Sequence, residues 1–163
     1  RVPEEFLCRT SFLGPGEEFS FQKETGEKVP VTVKAFKSTD EGVAFLIEAE
    51  GKVLYHAGDL NNWVWEGEPE EYNFRMSEAF HSELLKIAGN HIDVAFMLLD
   101  PRQGRDFYLG MDDFMHMVGA DIVFPMHFWG DFGVTERFKT LPCAADYAEK
   151  IMEIRCQGER FQL

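Results

Sequence analysis

A change of period along the chain constrains its fold more than any other feature. From Val29 the apolar residues alternate, with Val29, Val31, Val33 and Ala35 on one side and Thr32, Lys34 and Phe36 on the other, the repeat of a half-buried strand. The turn-rich segment 37–42 ends it, Val43, Phe45, Ile47 and Ala49 alternate again, and Glu50-Gly51 leads into a third run from Lys52 to Ala57. A two-residue connection containing Gly between such runs predicts a tight hairpin. Beyond Gly58 the repeat becomes helical. Phe80, Leu84, Ile87 and Ala88 share one stripe, with Ser77 as N-cap and Gly89 just past the end, which predicts a helix over 77–88.

The same unit then recurs. Ile92 to Leu99 is apolar on both faces, as in a strand covered on both sides. Met111, Phe114, Met115 and Val118 form a second helical stripe, with Asp112 and Asp113 in the first turn where the macrodipole favours anions. Ile122 to Met126 reads as a strand, Ala144, Tyr147, Ala148 and Ile151 as a third helix behind Pro142, and Glu159 to Leu163 as a last edge strand. The charged run 66–71 reads as a solvated loop. Antiparallel strands followed by β-α-β-α units define an α/β layer fold, and no repeat or linker divides it, so a single domain over 1–163 is expected.

Charge narrows the function. With 29 Asp and Glu against 16 Lys and Arg, the net charge is −13, the wrong sign for contact with a phosphate backbone, so no nucleic-acid partner is expected. A basic partner or a metal cation fits better. The longest apolar run, Val94 to Leu99, is far short of the roughly 18 to 20 residues that span a bilayer. Cys8, Cys143 and Cys156 lie far apart without a CxxC pair, which argues against a disulfide framework or a Cys-rich zinc site and makes a reducing cytoplasm the expected location.

Three of the expected strands run into residues that bind ligands: Tyr55-His56-Ala57-Gly58-Asp59, Leu98-Leu99-Asp100 and Phe124-Pro125-Met126-His127. In open α/β sheets ligands collect at the carboxyl ends of strands. One His and two Asp there suit zinc or another first-row dication. Simpler readings stand beside this one: Asp59 as a turn aspartate bonding its own backbone, His127 as a strand-end histidine, Asp100 as a strand stop before Pro101. Trp63, Trp65 and Trp129 flank the strand ends as a wall against substrate or as core. His81 and His116 read as structural, and Met111, Met115, Met117 and Met126 as core filling.

The segments Ser38-Thr39-Asp40-Glu41-Gly42-Val43, His56-Ala57-Gly58-Asp59-Leu60-Asn61-Asn62-Trp63 and Ile122-Val123-Phe124-Pro125-Met126-His127-Phe128-Trp129-Gly130-Asp131 resemble the second half of a metallo-β-lactamase-fold hydrolase, in an uncharacterised bacterial branch carrying HAGDLN and FPMHFWGD motifs. The resemblance runs from about Val33 onward. It implies the second half of an αββα sandwich, the C-terminal part of a larger domain. It also implies a metal-dependent hydrolase that directs a metal-bound hydroxide at an ester, lactone or phosphoester. Asp59 would be the bridging and catalytic carboxylate, His127 the late metal-binding histidine, and the cofactor a pair of Zn ions, or Mn or Fe. By their positions beside the strand ends, and not from the resemblance, Trp63, Trp129 and Asp131 are candidates to face substrate, and His56 and Asp100 to support the ligands or to be structural.

The chain departs from that family in lacking the HxHxDH motif that supplies most of its ligands, and Val64 stands where branch members often carry His. Arg1 is neither an initiator Met nor part of a signal peptide, so a fragment is expected, inert by itself, whose partners are a small-molecule substrate, the N-terminal half of the same fold and a second copy of the chain. The alternative is a non-catalytic acidic α/β binding module without metal.

Overall fold

A computed structural model describes residues 2–25 and 27–162, without the side chains of 23–29, so the expected facing of Val29 and the end of the tail strand at Leu163 lie outside the described residues. The strands are β1 (Glu18–Thr25), β2 (Glu27–Lys37), β3 (Val43–Ala49), β4 (Lys52–His56), β5 (Val94–Leu98) and β6 (Ile122–Met126), and they form one six-stranded sheet in chain order. Pairing is antiparallel from β1 to β4 and parallel from β4 to β6. The mixed α/β class follows from that switch. Parallel neighbours need long crossovers, and helices α1 (Glu70–Ile87) and α2 (Leu109–Met117) lie in them. β4, β5 and β6 therefore end at the same edge.

One face of the sheet carries the core. Leu46, Tyr55, Met97 and Val123 are buried together with Phe80, Leu84 and Ile87 of α1 and Met111 and Phe114 of α2, and the Tyr55 ring stacks on Phe114 at 5.3 Å. Pairing register assigns the other face: Phe19, Val33, Ile47, Leu54, Val94 and Ile122 form one row across all the strands. Those side chains are half-buried, apart from Phe19, which is exposed. Among the described residues, no helix is long and apolar enough to cross a membrane.

Several elements depart from expectation for identifiable reasons. Strand β1 lies outside the expected strands; its alternation is confined to Phe19 and Phe21 between polar neighbours, a pattern too short to separate it from a loop. Helix α1 begins at Glu70 rather than at Ser77, because Pro69 precedes it and Glu70 and Glu71 suit its first turn, which takes these residues out of the expected loop. Its first turns carry exposed Tyr72 and Phe74, so the buried stripe starts only at Phe80. Ser77 does not cap; its hydroxyl donates to Asn62 Oδ1 at 2.8 Å.

The third helix expected behind Pro142 is absent. The segment forms short 3₁₀ turns at Pro142–Ala144 and Ala148–Lys150. Tyr147 donates to Asp112 and Ile151 bridges Val123 in parallel, so tertiary contacts bury this stripe without a continuous helix. A short helix, α3 (Val134–Lys139), precedes it instead. No strand forms over 159–162; Phe161 packs edge-on against Phe124 at 5.0 Å.

Candidate metal centre

Each parallel strand delivers one polar residue to the common edge. After β4 the chain turns at Gly58, whose φ of +57° lies in the left-handed region, and a Cβ there would meet the Val43 carbonyl oxygen at 2.5 Å. Only glycine fits, and the turn swings Asp59 over the edge. After β5 comes Asp100, the N-cap of a 3₁₀ segment, Pro101–Asp106, kinked at Gly104. After β6 comes His127.

These residues meet. His127 Nε2 lies 2.9 Å from Asp59 Oδ1, across 68 residues of chain, and His127 Nδ1 lies 3.4 Å from Asp100 Oδ2. The imidazole thus stands between the carboxylates. Asp59 and His127 are part-exposed at the edge, while Asp100 is fully buried. Burial alone would push the Asp100 carboxyl up. Donation from the Arg102 guanidinium, the Arg102 N–H and Trp129 outweighs burial and holds it below the usual carboxylate range. Arg102 Nε and Nη2 reach its oxygens at 2.9 and 2.5 Å, and Trp129 Nε1 donates at 3.2 Å.

The backbone here is strained. His127 and Trp129 have φ of +61° and +52°, each costing about 1 kcal/mol or more for a residue with a Cβ. Side-chain bonding holds both: His127 lies between its carboxylates, and Trp129 is pinned to Asp100 with the Arg102 guanidinium 4.4 Å over its ring.

The other expected site residues fall into different places. Trp63 is buried; its indole N–H donates to the Asp59 carbonyl oxygen at 3.0 Å and its ring lies 6.0 Å from His127. Burial follows from its stacking on Trp65 and its packing in the core. Trp129 is 66% exposed and is the aromatic at the rim. Asp131 is taken up by Arg137, whose Nη2 donates at 2.5 Å, and so is not brought to the pair. His56 accepts the Gly58 N–H on Nδ1 at 3.0 Å, which places its proton on Nε2 and shapes the turn. Although the residue is exposed overall, partial desolvation of its ring holds its pKa below the ordinary histidine value.

Sequence reasoning missed Arg102 and Gln103, which hold the site from behind, and Gly110, where a Cβ would overlap Asn61 Oδ1. A glycine inside a helix was the available signal, since it marks a close approach. His81 is not free on its helix either: Nε2 lies 2.8 Å from Asp113, which also accepts from Asn62.

Among the described residues, only His91, Asp93 and Asp121 bring three potential ligand atoms within 4.8 Å of one another. They sit at the opposite edge of the sheet, and Asp93 is already bonded to Lys52 Nζ at 2.6 Å and to the Val53 N–H at 2.8 Å. Asp59, His127 and Asp100 do not form such a trio, because the ring separates the carboxylates. Neither a family model nor a curated protein matches the chain.

Proposed function

We propose that the chain carries part of the metal centre of a metal-dependent hydrolase of the metallo-β-lactamase type, with Asp59 and His127 as ligands. The observation that carries this reading is the arrangement around His127. The ring-to-carboxylate distances, 2.9 Å at Nε2 and 3.4 Å at Nδ1, accommodate either tautomer; with the Nδ1 proton donated to Asp100, Nε2 would be free to share a cation with Asp59 Oδ1 in place of a hydrogen bond. Donors at roughly 2.0–2.1 Å from a tetrahedral zinc stand about 3.3 Å apart, so a dication requires only a few tenths of an ångström of opening. Asp100 behind the imidazole supplies the carboxylate that orients metal-binding histidines.

A bound dication supplies Lewis acidity and an activated water for attack on an ester, lactone or phosphoester. The chain's own part is to hold Asp59 toward that water, to orient His127 and to present Trp129 at the rim. Two ligands are fewer than the three or four that hold zinc, so this reading calls for further ligands from an HxHxDH-bearing segment and for weak metal binding by the 163 residues alone.

Metal analysis and turnover of phosphodiester and lactone substrates, with and without such a segment, test it. Asp59→Asn and His127→Ala are each expected to lower metal affinity by more than the roughly 10 to 100-fold of supporting-residue changes. Wild-type metal content in both variants would sink the ligand assignment. Absence of zinc, manganese or iron from every active preparation would favour a metal-free binding module.

A further inference from the structure

The turn after β5 grips the candidate site from both sides. Arg102 holds the Asp100 carboxylate that faces His127. Its neighbour Gln103, 2% exposed, points to the other arm: Nε2 donates to the carbonyl oxygens of Asn62 and Val64 at 2.8 and 3.1 Å, and Oε1 accepts from Asn61 Nδ2 at 2.8 Å. All these contacts fall on the loop that leaves Asp59. That loop has no strand or helix pairing; the Asn62 carbonyl also accepts the Val64 N–H at 2.9 Å and Thr39 bonds Asn61, and the buried Gln103 amide ties the Asn62 and Val64 carbonyls to the turn after β5. An amide is required, because only Asn and Gln side chains both donate twice and accept.

We propose that Gln103 is a positioning residue for the Asp59–His127 pair. It fixes the 61–64 loop, and through the Trp63 indole bond to the Asp59 carbonyl it sets where the Asp59 carboxylate stands. Arg102 sets the other arm through Asp100, so adjacent residues of one turn define the separation of the pair. The proposal rests on reading that pair as the metal-binding element, but its geometric arm can be tested without metal.

The variants are Gln103→Met, which keeps length and volume, and Asn61→Ala, which removes only the donor to Gln103 Oε1. Asn73→Ala is the control: it removes bonds of the same kind, to the Trp65 N–H and carbonyl, farther along the same loop. The metal-free readout is hydrogen exchange of the Trp63 indole N–H, expected to accelerate about tenfold or more in Gln103→Met and less than about twofold in the control at matched thermal stability. The second readout is Zn²⁺ affinity by calorimetry, expected to fall about 10 to 100-fold in Gln103→Met and to hold in the control. Should Gln103→Met not fold, Asn61→Ala carries both measurements, with smaller shifts in the same direction. Unchanged exchange in the variants, or equal acceleration in the stability-matched control, overturns the proposal whether or not zinc binds. Accelerated exchange in a protein whose wild type takes no zinc even with the HxHxDH-bearing segment supplied supports the positioning role and counts against the metal reading.

Discussion

At Gly58, Asp100 and His127, single residues decide whether a site exists at this edge. Gly58→Ala is expected to destabilise the fold by about 1–3 kcal/mol, because the new Cβ meets the Val43 carbonyl in a left-handed turn. Denaturant midpoints measure that cost, and an unchanged midpoint would show that the turn relaxes freely. Asp100 makes stability depend on acid. Its folded pKa is depressed, so its contribution is full above the ordinary aspartate value of about 3.9 and is lost as pH falls through the lower folded value. Midpoints between about pH 2 and pH 6 should therefore vary less with pH in Asp100→Asn than in wild type. Asp59, Asp100 and His127 were legible in the sequence because each ends a strand, and strand ends are read from periodicity. Gln103 and Arg102 were not, since their partners are fixed by how two loops fold back on one another, which no local spacing encodes.

Elements were legible in proportion to how much of their face is buried. β3 and β6 matched the expected strands in extent. In β3, however, the alternating row Val43, Phe45, Ile47 and Ala49 lies on the half-covered face, and Ala44 and Leu46 are the buried residues, because the helices cover the other side of the sheet. The first turns of α1 carry exposed aromatics that mask the stripe, and 142–151 spends its apolar residues on separate contacts, so a helical pattern exists there without a helix. The sheet's second face has consequences of its own. The row from Phe19 to Ile122 is apolar and only half-covered, with Phe19 and Phe21 exposed at β1, and contiguous apolar surface of this kind drives association. The chain is expected to sediment above its 18.8 kDa mass at tens of micromolar, and Phe19→Lys with Phe21→Lys to lower that mass. Sedimentation as a monomer by both proteins would show that the face is adequately covered.

Over the whole molecule, the switch in sheet pairing separates near contacts from distant ones. The β1–β4 meander closes through short turns, whereas each parallel pair waits on a crossover that includes a helix, and closing long loops slows folding. Time is therefore built into the edge where His127 meets Asp59, since neither residue has its partner until both crossovers have closed. In pulse-labelled refolding, amides of β3 should gain protection before the Trp63 indole N–H, and simultaneous protection would show instead that the sheet condenses in one step. A nascent chain would pass through a stage with its hairpins formed and its imidazole unpartnered. On the proposed metal reading, a metal met during that interval would find isolated donors rather than a site, and its capture would wait for the last step of folding.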